Sequence, residues 1–242
     1  MRHGKTRGFV LTKALHDTGK YVNMHVFTED FGKLRVKVKG LKNIKSKMAA
    51  SLEPYYLLKM DLYNVTDDVH MLTGVAVEAS FPGLMSDLGR MTTLWKMVEV
   101  VDIFLPVELE HPEIFSIYAQ SLSILDHACL PTYCWFLLQV LSQLGYINVS
   151  KTCERCESSL EASTIHKKDE EWMFVCGNCI PEFSMLREVP FFIIKICMFG
   201  QVTSLEKFIQ VTLSTEEWQK IAHFLEEIAQ HAAGKKFNSF GL

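Results

Sequence analysis

Two groups of residues carry the chemistry available to this sequence. The first is a set of thiols. Cys153-x2-Cys156 and Cys176-x2-Cys179 are two CxxC pairs separated by nineteen residues. Each pair can bring two thiolates to one side of a tight turn. Two such turns facing each other make a closed tetrahedral site of the kind that holds structural zinc. One Zn2+ per chain is therefore the expected cofactor, with Cys153, Cys156, Cys176 and Cys179 as ligands. Four sulfurs leave no position open for water, which assigns the ion to folding rather than catalysis. Disulfides or redox CxxC motifs are the competing reading, but neither pair opens a helix after a strand as a redox motif does. His166 is close in sequence, yet four sulfurs already complete the set.

The second group is cationic. Residues 33–47 read KLRVKVKGLKNIKSK, with seven Lys or Arg and no acid. Lys33, Arg35, Lys37 and Lys39 alternate with Leu34, Val36 and Val38. In a strand this puts four charges on one face and three apolar groups on the other, whereas a helix would scatter the charges around its axis. Gly40 ends the strand, and Lys42, Lys45 and Lys47 continue the charge in a loop. Cations packed this closely repel one another unless a polyanion joins them. A solvated edge strand kept soluble by lysines needs one or two of them, not seven. The expected nucleic-acid contacts are Arg7, Lys33, Arg35, Lys37, Lys39, Lys42, Lys45 and Lys47.

Catalytic patterns are missing from the sequence, and no enzyme activity is expected. Gly4-Lys5-Thr6 resembles the end of a phosphate-binding loop but lacks the earlier glycine and the preceding strand. There is no HExxH or GxSxG. Asp67 and Asp68 fall where hairpin-turn chemistry is expected, and the nine His show no partner spacing.

The elements that must position these groups are legible in outline. Strands are expected at 6–15, 21–28, 33–39, 55–63 and 69–78, with Gly8 permitting a bend or bulge and turns at 17–20, 29–32 and 64–68. Residues 42–51 read as part loop and part short helix. Five short antiparallel strands with an insertion after the third suggest a small barrel of the OB type, which binds single strands through cations and aromatics. Phe9, Tyr21, Phe27, Phe31, Tyr55 and Tyr56 are its aromatics, most of them expected in the core. Phe81-Pro82-Gly83 punctuates the chain, and helical periodicity follows. One helix runs over 86–104 with Ser86 as N-cap and Leu88, Met91, Leu94, Trp95, Val98 and Val101 as its apolar face. Others run over 112–128, from Pro131 to Leu144, over 191–199 and over 203–209. The last begins at Ser214 with a capping box to Glu217, buries Trp218, Ile221, Phe224, Leu225 and Ile228, and ends at Gly234. Residues 171–175 read as one strand of a hairpin between the cysteine turns. The expected fold is α+β and multidomain: an OB-fold nucleic-acid-binding domain over 1–80, then a helical domain over 81–242 containing a zinc hairpin over 150–181.

Composition agrees with this division. The 242 residues, 48% hydrophobic, suffice for a proper core, and the net charge of −3 hides an asymmetry. Residues 1–60 hold 13 of the 25 Lys and Arg but only 4 of the 28 Asp and Glu. A basic first quarter on an acidic body suits a polyanion-binding module on a carrier. No apolar run reaches the roughly 18 residues of a membrane span, and Lys13 interrupts any secretory core near the start. The seven Cys are odd in number, and Cys129, Cys134 and Cys197 stand alone in apolar helical text. That usage suits small core residues in a reducing cytoplasm.

In their order and spacing, several motifs together resemble the bacterial DNA repair protein RecO family, recombination mediators of the RecFOR pathway. They are Arg7-Gly8-Phe9-Val10-Leu11, Phe27-Thr28-Glu29, Lys39-Gly40 with the basic loop, Leu52-Glu53-Pro54, Phe81-Pro82-Gly83-Leu84, and Leu144-Gly145-Tyr146 before the cysteines. The resemblance covers essentially the whole chain. It implies an OB barrel followed by a helical domain with a zinc hairpin. It also implies binding of single- and double-stranded DNA, annealing of complementary strands, and help in loading RecA on strands covered by single-strand binding protein (SSB). RecR and the acidic SSB C-terminal tail are the implied partners. Members often carry Arg-Phe-Glu in the helix linked to tail docking; here Trp135, Phe136 and Leu137 stand at those positions, so the cation expected to meet the tail is displaced. An RNA-binding OB-fold accessory protein and a non-catalytic protein-interaction scaffold are the rival readings.

Overall fold

The computed structural model describes residues 3–15, 21–39, 50–66, 69–160, 165–168, 171–176, 178–179 and 186–241. The expected turns at 17–20 and 67–68 and the segment 40–49, which holds Lys42, Lys45 and Lys47, lie outside the described residues. The chain divides into two compact units, one formed by 1–129 with 236–242 and the other by 130–235.

In the first unit, β1 (His3–Leu15), β2 (Tyr21–Thr28), β3 (Gly32–Lys39), β4 (Tyr56–Thr66) and β5 (Val69–Ser80) close into a barrel of order β1-β2-β3-β5-β4. A closed ring with an odd number of strands cannot alternate direction all the way round. One neighbouring pair must run parallel, and it is β3 with β5, joined at Val36↔His70 and Lys37↔Met71. The expectation of five antiparallel strands is corrected at this seam. Gly4–Thr6, the phosphate-loop lookalike, sits in the ladder between β1 and β4. Bulges bend β1 near Val10 and the β4–β5 ladder at three places, which small barrels use to curve.

Alternation decides what each strand buries. Val10, Met24, Val26, Leu34, Val36, Val38, Leu58, Met60, Leu62 and Leu72 fill the barrel together with Leu52. Phe9 and Phe27 have the opposite parity and are cross-strand partners on the outer surface. Helix α2 (Pro112–Ile124) covers them: Phe115 lies 5.6 and 5.3 Å from the two rings, and Tyr118 stands edge-on to Phe9 at 5.0 Å. Neither barrel phenylalanine is exposed. At the β2–β3 turn Gly32 takes φ +66°, and a Cβ there would fall 1.8 Å from the Leu109 carbonyl oxygen. Only glycine fits this left-handed, backbone-crowded position.

Helix α1 (Leu88–Phe104) departs from its expected cap and face. Asp87, not Ser86, is the N-cap; its extended backbone lets Oδ1 accept the Arg90 N–H at 3.0 Å. Ser86 instead donates to the Gly83 carbonyl, closing the 3-10 turn Pro82–Met85. The buried face is Leu94, Met97, Val98, Val100 and Val101, while Leu88 is 72% exposed. The chain returns to this unit at its end. Glu99 accepts the N–H groups of Asn238 and Ser239, each at 2.8 Å, and Phe237 packs 5.9 Å from Phe104.

In the second unit, α3 (Cys129–Gln143) places Pro131 in its first turn and buries every residue from Thr132 to Leu141. Three of its polar side chains are matched: Trp135 and Gln139 donate to the carbonyls of Thr203 and Gly200, and Tyr133 donates to Glu226, while the buried Thr132 hydroxyl has no partner among the described residues. Three short strands, β6 (Ile165–Lys168), β7 (Glu171–Val175) and β8 (Leu186–Val189), pair in the order β7-β6-β8. Helices α4 (Phe191–Gln201) and α5 (Leu205–Phe208) follow. Helix α6 (Thr215–Ala233) has the expected reciprocal capping box between Ser214 and Glu217, and Gly234 ends it in the left-handed conformation.

Candidate nucleic-acid interface and metal centre

The cations of the barrel fall into two classes. On β1 and β4 they are matched to carboxylates. Arg7 is held by Glu29 at 2.5 Å and Glu78 at 3.2 Å, and Glu78 also meets Lys59 at 3.5 Å. Lys5 lies 3.7 Å from Asp61, and Lys13 lies 2.6 Å from Glu53. The hydrogen bond to Glu29, ahead of that to Glu78, raises the Arg7 pKa, and the Arg7 bond holds the Glu29 carboxyl below its ordinary range. Arg7 is thus already neutralised by its own chain.

On β3 the pattern differs. Leu34, Val36 and Val38 are buried as the alternation requires, so the four charges share the outer face. Lys33 nevertheless is only 5% exposed. Its ammonium donates to the backbone carbonyl of Asp102 and lies 3.4 Å from the carboxylate, on which His25 Nδ1 also sits at 2.6 Å. The segment after α1 covers it, with Glu108 N–H donating to the Lys33 carbonyl at 2.8 Å. Lys33 therefore anchors the α1 end to the barrel. Arg35 and Lys39 are exposed and Lys37 is half-buried. Among the described residues, none of these three meets a carboxylate, in contrast to Lys5, Arg7, Lys13 and Lys59. Three of the eight expected contacts thus form one row that meets no carboxylate among the described residues, two are engaged internally, and Lys42, Lys45 and Lys47 lie outside the described residues. The sequence reading missed Asp102 and His25; the outward parity of His25 in β2 was the available signal.

The four cysteines come together in the second unit. The Sγ atoms of Cys153, Cys156, Cys176 and Cys179 all lie within 4.8 Å of one another. Tetrahedral thiolates about 2.3 Å from a shared ion would stand about 3.8 Å apart, so the cluster needs little adjustment to hold one. Local backbone sets the geometry. Cys153 N–H donates to the Ser158 carbonyl at 2.8 Å, and Glu157, at φ +59°, donates back to the Cys153 carbonyl at 2.9 Å. On the second turn Cys179 N–H donates to the Cys176 carbonyl at 3.0 Å. Cys176 N–H points at Cys153 Sγ at 3.3 Å, and Glu154 N–H joins the Phe174 carbonyl at 3.0 Å, locking the turns together. The Ser158 hydrogen bond is the main cause that brings the Cys176 thiol down to about 6, while Cys156 is the main cause that pushes Cys179 up to about 12. Neighbouring thiolates repel, and a divalent cation among them removes that conflict. The donor set therefore fits a metal ion.

Two family models match the chain. Recombination protein O N terminal covers residues 1–81, and Recombination protein O C terminal covers residues 85–240. The chain belongs to the RecO family. Among relatives, a DNA repair protein RecO of Geobacter metallireducens is 29% identical over 156 residues, 64% of this chain and 64% of the relative. One from Prosthecochloris aestuarii is 28% identical over 150 residues, 59% of this chain but 55% of its own length. One from Caldicellulosiruptor bescii is 22% identical over 219 residues, covering 90% of this chain and 88% of the relative. The chain thus spans between half and two thirds of the first two relatives and most of the third. The RecO barrel and the four-cysteine cluster are the two parts built above. No helix among the described residues is long and apolar enough to cross a membrane.

Proposed function

We propose that this RecO-family chain is a non-catalytic recombination mediator of DNA repair, acting in the cytoplasm. It binds single- and double-stranded DNA, anneals complementary strands and helps load RecA on SSB-coated DNA, with RecR and the SSB tail as partners. The observation that supports this most directly is the row Arg35, Lys37, Lys39, which meets no carboxylate among the described residues, whereas Lys5, Arg7, Lys13 and Lys59 each do. Such a row tracks a sugar–phosphate backbone without reading sequence and displaces its counterions. Annealing follows because a strand held on a cationic face repels its complement less. No bond is made or broken. The four thiolates hold one Zn2+, which orders the hairpin and supplies no reaction step.

With Arg7 and Lys33 engaged internally, the phosphate contacts narrow to Arg35, Lys37, Lys39, Lys42, Lys45 and Lys47. Neutralising five or six phosphates gives a log–log salt slope near about −4 on single strands. The combined variant Lys37→Glu, Lys39→Glu, Lys42→Glu is expected to bring this slope to about −2. An unchanged slope removes the face from the interaction.

A further inference from the structure

Beside the cation row the barrel has a cleft of about 260 Å³, lined by Asn23, His25, Arg35 and Lys37 with Met24, Val36 and Val69. The four polar residues are two cross-strand pairs, Asn23↔Lys37 and His25↔Arg35, on adjoining strands. They share the outer face, and they do different things there. Lys37 and Arg35 carry positive charge. His25 offers a flat ring whose Nδ1 is fixed 2.6 Å from Asp102. Asn23 presents a buried side-chain oxygen that has no hydrogen-bond partner among the described residues. A buried amide oxygen left unmatched costs stability and is uncommon unless something else supplies the donor.

We infer that this cleft takes one unstacked nucleobase of the bound single strand, with Asn23 Oδ1 accepting from an exocyclic amine on the base. This rests on the reading that the β2–β3 face holds single-stranded DNA. An inorganic or backbone phosphate does not fit, because the unmatched Asn23 oxygen would repel an anion. A base supplies the missing donor: its N–H matches the amide oxygen, and its ring lies against Val69. The cleft is smaller than the roughly 300 Å³ at which sites for drug-sized ligands begin, so it suits one ring system. Arg35 and His25 supply planar groups beside it, and such planes stack on splayed bases. Arg35 and Lys37 at the rim then meet the phosphates on either side of the inserted nucleotide.

The test uses the full chain and three twelve-nucleotide strands: deoxyadenosine, deoxynebularine (the same purine without its amine) and an abasic sugar–phosphate. The base-bearing strands are expected to bind at least about tenfold more tightly than the abasic one, as base stacking alone provides. Adenine is expected to exceed nebularine about fivefold, the worth of one matched buried acceptor. In Asn23→Leu the adenine preference falls to within about twofold while the salt slope stays that of the parent. Equal binding of adenine and nebularine by the parent protein, with its steep salt slope intact, overturns the cleft and leaves the phosphate-tracking face standing. A flat salt slope on every strand overturns the face itself. The comparison of strands on the parent protein needs no variant to fold.

Discussion

The Lys33 ammonium lies against two oxygens of Asp102, the backbone carbonyl and the carboxylate Oδ1, across 69 residues of sequence. The tie joins the start of β3 to the last turn of α1. It turns a residue that alternation groups with the outward-facing cations into part of the fold.

Replacing Lys33 is therefore expected to act on stability. Lys33→Met removes a charged donor from a nearly buried pair and is expected to cost about 1–3 kcal/mol in urea unfolding. The salt slope for single-stranded DNA is expected to stay at the parent value. A slope reduced as far as in the Lys37, Lys39, Lys42 variant would return Lys33 to the interface.

Asp102 links this tie to pH. Burial raises its pKa, but the His25 hydrogen bond and the Lys33 charge outweigh burial, so the folded value lies below the ordinary one. A depressed carboxyl contributes stability that is fully present above its unfolded pKa of about 3.9 and is lost as pH falls through the folded value. Unfolding free energy is expected to fall more steeply below about pH 4 in the parent than in Asp102→Asn. Equal acid slopes in the two proteins would remove Asp102 from this account.

The cysteine cluster predicts a metal content. One zinc per chain is expected by elemental analysis of protein purified without chelator, and Cys153→Ser or Cys176→Ser is expected to bring it to near zero. Because binding energy here is folding energy, chelation is expected to expose 150–181 to proteolysis while residues 1–129 stay resistant. A full metal complement in either serine variant would sink the four-thiolate assignment.

Gly32→Ala is expected to be the costliest single-methyl addition in the barrel. It combines a left-handed backbone with a Cβ 1.8 Å from the Leu109 carbonyl oxygen. A loss of about 3 kcal/mol or more is expected in thermal or urea melts. A loss below about 1 kcal/mol would mean that the 105–110 segment does not lie against this turn.

Local pattern made most of this structure legible. Strict alternation located β2 and β3, and Ser214 with Glu217 located α6, because each signal is written within a few consecutive residues. The two CxxC pairs announced their own cluster. What stayed hidden depends on distant chain. Lys33 looks like Lys37 until Asp102, 69 residues later, is brought to it. Arg7 reads as a free cation until Glu29 and Glu78 close on it. The face of α1 was misjudged because its helical spacing allows several stripes, and contacts made elsewhere in the unit select Met97 and Val100 over Leu88. The parallel seam between β3 and β5 follows from ring closure, which no window of sequence contains.

The grip of Glu99 on Asn238 and Ser239 sets an order for biosynthesis. The ribosome delivers the whole of 130–235 before it delivers the piece that finishes the unit begun by 1–129. The barrel-bearing unit thus starts to fold first and is sealed last. A chain cut short between 129 and 237 leaves Phe104 without its Phe237 neighbour.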